Sequence, residues 1–328
     1  MNKVSVIMAT YNTPKAYLDE AIESILNQTY KNIELIIVCD GSEDEFNYLK
    51  NKYSSFNEVV ILFNETNKGL PYSLNLGIKK SKGDYIARMD SDDISINNRI
   101  ECQLDFLRKT GCDLCGSSAY LIGSEKGIKN ILFNHSDEIA IQILYRASLI
   151  HPTVLAKRVV YETFKYDESY LCSQDFELWG RVAEKFSIGL IDRPLLKYRV
   201  HEKQATEIKK NLQIEYSKKI ITRNANKFMG YERMASQALW YLSGREAVDR
   251  NNYAQFNQLI DNLIDANNKL GIYDKKTFKR VIYNRFFEIV LKSGIVPREL
   301  SGLRKVMRIY NICDLIRIAV NRYAYYLR

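Results

Sequence analysis

Four short apolar runs, each closed by polar residues and spaced by intervals of helix length, constrain this chain more than anything else in it. Residues 4–9, 33–39, 59–63 and 85–89 are β-rich and of strand length. After Pro14, Leu18, Ile22, Ile25 and Leu26 recur at three- and four-residue spacings, and residues 70–80 repeat that period before the fourth run. Strands alternating with helices predict βαβ units, a mainly parallel Rossmann-like sheet flanked by helices. Open sheets of this kind bind ligands beyond the carboxyl ends of their strands. Those ends here are Thr10-Tyr11-Asn12, Asp40-Gly41-Ser42, Asn64-Glu65-Thr66-Asn67 and Asp90-Ser91-Asp92-Asp93. All are polar and two are acidic.

Beyond Asp93 the pattern predicts a helix near 98–109, a strand over 114–122 and a helix capped by Ser136 that runs to about 146. Residues 148–200 read as short strands and helices, with Phe176, Trp179, Val182 and Phe186 on one helical face. From about 202 the strand signals stop. Segments 204–228, 231–242, 253–268, 275–292 and 303–327 are helical in period and break near Gly230, Gly244, Gly271, Gly294 and Gly302. The expected organisation is an α/β domain over 1–205 and an all-α C-terminal region over 206–328.

Charge is concentrated at the end of the chain. The net charge is +9, yet residues 278–328 hold 11 Lys and Arg against 3 Asp and Glu, so the rest is close to neutral. A neutral body with a basic, apolar tail argues against nucleic acid and points to an anionic membrane surface or a subunit contact. No apolar stretch approaches the ~20 residues of a membrane span. The N-terminus runs straight into a strand signal, which predicts a cytoplasmic protein, peripheral on the inner face of the plasma membrane if the tail binds lipid. Six cysteines in 328 residues fit reduced thiols. The single Cys112-Asp113-Leu114-Cys115 pair lacks the partners that zinc needs, and neither a G-x-G-x-x-G turn nor a G-K-[ST] loop is present.

Asp90-Ser91-Asp92-Asp93 carries the most chemistry. Three carboxylates in four residues repel unless a cation sits among them. If the strand stays extended, Asp90 and Asp92 share a side, and hard oxygen ligands at that spacing suit Mg²⁺ or Mn²⁺ with phosphate oxygens completing the shell. Read from the residues alone, an acidic turn that caps the next helix remains open.

The ordered set Val4–Asn12, Ser24–Tyr30, Asp40-Gly41-Ser42, Asn67-Lys68-Gly69, Gly83-Asp84-Tyr85-Ile86, Asp90–Asp93, His151-Pro152-Thr153, Gln174–Trp179 and Tyr198-Arg199-Val200-His201 resembles family 2 glycosyltransferases of the A-type nucleotide-sugar-binding fold over roughly residues 3–202. The resemblance implies a UDP-sugar held by Thr10, Tyr11, Asn12, Asp40, Asn67 and Asp90, with Asp40 reading the uracil edge. It implies a metal on Asp92 and Asp90, with His201 as a further ligand, and Asp93 in a capping or supporting role. It makes Asp175 the base of an inverting transfer. Two positions depart from the family pattern. Its acidic pair before the glycine becomes Cys39-Asp40, and Gln174 replaces the acidic neighbour of Asp175, which removes a charge that would raise the Asp175 pKa. Trp179 reads as core, and His151 stays open between a turn residue and an acceptor contact.

The function so implied is transfer of a hexose or N-acetylhexosamine from a UDP-sugar to a hydroxyl of a growing, lipid-linked surface glycan of capsule or O-antigen type. Two rivals stay open from sequence: a sugar nucleotidyltransferase, and a catalytically silent assembly subunit, homo-oligomeric through its tail.

Overall fold

A computed structural model of the chain describes residues 2–129, 136–201 and 210–294. The chain divides into two compact units between Ile220 and Ile221.

The first unit is built on one sheet. Its strands are β1 (Val4–Thr10), β2 (Ile33–Asp40), β3 (Val59–Asn64), β4 (Tyr85–Asp90), β5 (Ile94–Ser95), β6 (Leu114–Gly123), β7 (Gly127–Lys129), β8 (Leu155–Lys157) and β9 (Ile188–Val200). They lie in the order β3-β2-β1-β4-β8-β6-β9-β5, with β7 paired to β6. The half β3-β2-β1-β4 is parallel throughout, as the alternation predicts. Beyond β4 the sheet is mixed: β8 runs antiparallel to β4 and β6, β9 parallel to β6, and β5 antiparallel to β9. The chain winds outward in opposite directions from β1 and β4, so the space above their ends is a topological switch point.

Helices α1 (Lys15–Leu26), α2 (Glu43–Tyr53), α3 (Leu70–Lys80), α4 (Arg99–Thr110), α5 (Ser136–Ile143), α6 (Arg158–Thr163) and α7 (Gln174–Val182) belong to this unit. Leu18, Ala21, Ile22 and Ile25 of α1 are buried, each large side chain contributing roughly 1.5–3 kcal/mol by leaving water. The C-terminal end of α1 also braces β5. Ser24 Oγ accepts from Ser95 N at 2.9 Å, Gln28 Nε2 donates to Ile96 O at 2.8 Å, and Gln28 Oε1 accepts from Ile100 N at 3.2 Å. Helix α2 is not announced by its apolar spacing. Its inward face is Glu45, Leu49 and Tyr53, one charge and two apolar groups a turn apart.

In the other unit, α9 (Glu232–Ser243), α10 (Tyr253–Leu270) and α11 (Lys275–Lys292) follow α8 (Lys210–Ala225), whose sequence spans the division between the units. Gly244 and Gly271 end α9 and α10 in the left-handed conformation. Phe278, Val281, Ile282, Phe286 and Val290 of α11 are buried, so this part of the basic tail spends its apolar face on its own core. The expected helix over 303–327 lies outside the described residues. No helix among the described residues is long and apolar enough to cross a membrane. None of the five cysteines among the described residues is in a disulfide.

Candidate active site

The loop leaving β1 is shaped by a carboxylate from α2. Thr10 Oγ1 donates to Glu45 Oε1 at 2.7 Å, Thr13 N to the same atom at 3.0 Å, and Asn12 N to Glu45 Oε2 at 3.1 Å. Asn12 takes a φ of +55°, a left-handed conformation found otherwise at one non-glycine residue among those described, Ser173. Tyr11 is 52% exposed. Thr13 Oγ1 lies 2.8 Å from Ser91 Oγ, which joins this loop to the acidic one.

Asp40, at the end of β2, is buried and holds the neighbouring turn. Its Oδ1 accepts from Asn64 Nδ2 at 2.8 Å and Lys68 N at 2.9 Å, and its Oδ2 accepts from Gly69 N at 2.8 Å. A carboxylate offers about four acceptor positions, so these three bonds leave one for a ligand N–H. Asn67 Oδ1 also accepts from Gly69 N, at 3.0 Å. Gly41 sits at φ +89°, and a Cβ there would lie 2.3 Å from Asn67 N. The turn closes over Asp40 because residue 41 has no side chain. Cys39 points to the other side: its thiol donates to Ser42 O at 3.1 Å and faces Glu45 Oε2 at 3.6 Å. Burial and then the Glu45 charge push that thiol up to about 12.

At the end of β4, single carboxylate oxygens of Asp90, Asp92 and Asp93 lie within 4.8 Å of one another. Buried Arg88 pairs with Asp90. His201 Nε2 lies 3.0 Å from Asp92 Oδ2. Burial, then the charge of Asp90, raises the Asp92 carboxyl, and the same two causes with Asp92 added raise Asp93 well above the carboxylate range. Asp93 does not cap the next helix, whose N-cap is Asn98. Instead its Oδ1 accepts from Arg199 N at 2.8 Å, while its Oδ2 is buried without a hydrogen-bond partner among the described residues. Arg199 Nε donates to Asp92 O at 2.7 Å, and the guanidinium sits 4.0 Å from the centroid of the Tyr17 ring and pairs with Glu20.

These residues fit a divalent cation. Three crowded carboxylates, one with an orphaned oxygen, are a set that a hard cation neutralises. His201 Nε2 and Asp92 Oδ2, 3.0 Å apart, are the donor pair that would hold such a cation. Asp90, already matched by Arg88, has less charge to give.

Asp175 is the second residue of α7, just past left-handed Ser173. Burial raises its pKa, and Asp90 adds to the shift, against opposition from backbone N–H groups and Lys129. The missing charge at Gln174 is thus outweighed by desolvation. The Tyr198 phenol is pushed up by burial and then by Asp90, Asp93, Asp92 and Asp175, so one side chain feels all four carboxylates. Lys129, 4.7 Å from the Tyr198 ring centroid, faces the same place; burial lowers its pKa against the pull of Asp175, Asp93 and Glu125. Trp179 is fully buried. His151 packs edge-on to Trp179, and its Nε2 lies 2.8 Å from Tyr166 Oη.

The β1 loop, Asp40 and the acidic cluster with His201 therefore lie at strand ends, and Asp175, in the first turn of α7, is near enough to Asp90 to be shifted by its charge. Sequence reasoning missed Glu45, Arg88, Arg199 and Lys129. The 45, 49, 53 spacing was the available signal for Glu45, and an arginine inside an apolar strand the signal for Arg88.

Comparison with known proteins bears on the family and the fold. A sequence model of Glycosyl transferase family 2 matches residues 5–155. A glycosyltransferase of Methanocaldococcus jannaschii is 35% identical over 207 residues, covering 60% of this chain and 70% of that one. The Escherichia coli O-antigen biosynthesis glycosyltransferase WbnJ is 32% identical over 211 residues, covering 62% of this chain and 82% of that one. S. aureus TarS in complex with UDP-GlcNAc matches with a TM-score of 0.62 at 16% identity, over 92% of this chain and 95% of that one, a likeness of fold. On the extent of the first of these relatives, and with the A-type fold in place, the chain belongs to glycosyltransferase family 2.

Proposed function

We propose that this chain is an inverting, metal-dependent glycosyltransferase that moves a hexose or N-acetylhexosamine from a UDP-sugar to a hydroxyl of a growing surface glycan. The observation that carries the reading is the packing of single carboxylate oxygens of Asp90, Asp92 and Asp93 within 4.8 Å of one another at the end of β4: these carboxylates suit a cation, and Asp175, whose pKa is raised by burial and then by Asp90, suits a proton. The TarS structures with UDP-GlcNAc and with UDP support a UDP-sugar donor, and the name of WbnJ supports a surface-glycan product.

In this reading residues 10–12 line the base pocket, Asn67 closes it, and the remaining acceptor position of Asp40 takes the uracil N–H. Asp92 and His201 hold Mn²⁺ or Mg²⁺, and Asp90, steadied by Arg88, faces the ribose or the cation. The metal supplies positive charge that neutralises the leaving diphosphate. Asp175 takes the acceptor hydroxyl's proton as that oxygen attacks the anomeric carbon from the face opposite the diphosphate. Its raised pKa makes it the stronger base once ionised. The first domain (1–205) carries this chemistry. The basic stretch beyond residue 294 serves a peripheral membrane or subunit contact near a lipid-linked acceptor, at the inner face of the plasma membrane.

Hydrolysis and transfer assayed over a panel of nucleotide sugars, with and without Mn²⁺, test the proposal. UDP-sugar turnover that needs the cation and disappears in Asp92→Ala is expected. Pyrophosphate release from UTP and a sugar phosphate would mark a nucleotidyltransferase instead. Retention of the full chain by anionic vesicles at low salt, lost on deleting 298–328, tests the tail.

A further inference from the structure

We propose that Glu45 is a positioning residue for donor recognition: its carboxylate fixes the left-handed loop after β1 and thereby sets how tightly and how selectively the nucleobase is held. The proposal rests on the assignment of residues 10–12 to the base pocket and names what controls that pocket.

Glu45 is 6% exposed, and both its oxygens are spent on the loop. Oε1 takes the Thr10 hydroxyl and the Thr13 amide, and Oε2 takes the Asn12 amide. Successive amides at 12 and 13 can converge on one carboxylate because Asn12 adopts φ +55°. Asparagine tolerates that conformation better than most residues with a Cβ, and the outside acceptor holds the loop in it. The Cys39 thiol, whose hydrogen goes to Ser42 O at 3.1 Å, stands 3.6 Å from Oε2 on the other side. Three donors from the loop thus converge on one carboxylate, a set that an anion with two acceptor oxygens satisfies. Thr13 carries the arrangement onward through its hydroxyl contacts with Thr10 at 3.0 Å and Ser91 at 2.8 Å, so the base loop and the acidic loop share one anchor.

Glutamine at 45 cannot replace this. Whichever way its amide turns, an NH₂ group meets N–H and O–H donors. Glu45→Asp keeps the charge but is one methylene short of spanning Thr10, Asn12 and Thr13 together.

The test is titration of the full-length chain with UDP, CDP, GDP and ADP in Mn²⁺, with donor-hydrolysis kinetics and melting curves in parallel. Glu45→Gln should weaken UDP binding about tenfold or more, the scale of losing a charge-assisted hydrogen bond. It should also narrow the preference for UDP over the other nucleotides and raise the donor KM more than it lowers kcat. Glu45→Asp should fall between. A merely structural role would lower the melting temperature and leave the nucleotide preference of the folded fraction unchanged. Either variant, folded and binding UDP as tightly and selectively as the unaltered chain, overturns the proposal. Failure of the unaltered chain to prefer UDP overturns the donor reading beneath it, and is seen before any variant is made.

Discussion

Alanine at Gly41 puts a methyl group where the structure has backbone. Gly41 sits at φ +89°, and its Cβ would stand 2.3 Å from Asn67 N and 2.7 Å from the Thr66 carbonyl carbon. The left-handed conformation costs about 1–2 kcal/mol for a residue with a Cβ. Relieving the overlap costs roughly 1–3 kcal/mol more, the usual range for overpacking. No flexible side chain can yield, because the atoms in the way are main chain. If the 66–69 turn moves, Lys68 N and Gly69 N leave the Asp40 carboxylate and a buried anion loses two of its three donors. The expected loss is thus about 2–5 kcal/mol, out of the ~5–15 kcal/mol that holds a domain together. Urea unfolding of the variant and the unaltered chain measures it, and a UDP titration in Mn²⁺ should show weaker binding in the fraction that folds. A loss under about 1 kcal/mol with normal UDP affinity would refute the account of why residue 41 is glycine, since a clash that large cannot be silent.

Asp175→Asn keeps size and hydrogen bonding but cannot take a proton, so turnover should fall ~10²- to 10⁴-fold with donor binding nearly unchanged; near-normal turnover would assign the base elsewhere. Burial places the pKa of Asp175 above the ordinary 3.8. Turnover should therefore be full above that raised value and fall as pH drops through it, at a higher pH than a solvated aspartate would give; kcat flat down to pH 4 contradicts this. Asp92→Ala should abolish Mn²⁺-dependent UDP binding in isothermal titration while far-UV circular dichroism stays unchanged, and intact affinity removes Asp92 from the cation. Cys39→Asp sets a second carboxylate where the thiol now faces Glu45 Oε2 at 3.6 Å and should cost about 1–3 kcal/mol in urea unfolding. Adding Glu45→Gln should recover part of that loss, whereas strictly additive losses would mean that the two side chains do not interact.

The parallel half of the sheet was legible because β1, β2 and β4 are buried on both faces and read as apolar runs, while β3, partly exposed at the edge, keeps an apolar sequence. Its polar ends marked the ligand side for the same reason. The other half was harder. β5 has two residues and β8 three, too few for any period to register, and both are held by partners distant in sequence: Ile94 pairs with Lys197, and Ala156 with Ile86 and Leu114. Asp40 was legible as a carboxylate at a strand end, but its hold on Lys68 and Gly69 belongs to loop closure, which spacing does not encode. Asp93 looked like a cap because it precedes a helix; five residues intervene before that helix begins, and the strand carrying Arg199 reaches it first. Glu45 was hidden among Glu43-Asp44-Glu45, an acidic first turn that any solvated helix could display, and only its alignment with Leu49 and Tyr53 separates it from its neighbours.

The brace between α1 and β5 bears on how this site could be moved or redesigned. Three residues join Asp90 at the end of β4 to Ile94 at the start of β5, and Ser24 and Gln28 grip the far side through Ser95, Ile96 and Ile100. The loop has no slack with which to spread its like charges apart, so their spacing is dictated by residues that touch no ligand. A graft of the four-residue acidic loop into another scaffold would carry the carboxylates and leave behind the geometry that makes them useful. The smallest portable version of the acidic cluster consists of residues 15–28, the β4–β5 connection and the end of β9, segments from the beginning, the middle and the end of the first unit's sequence.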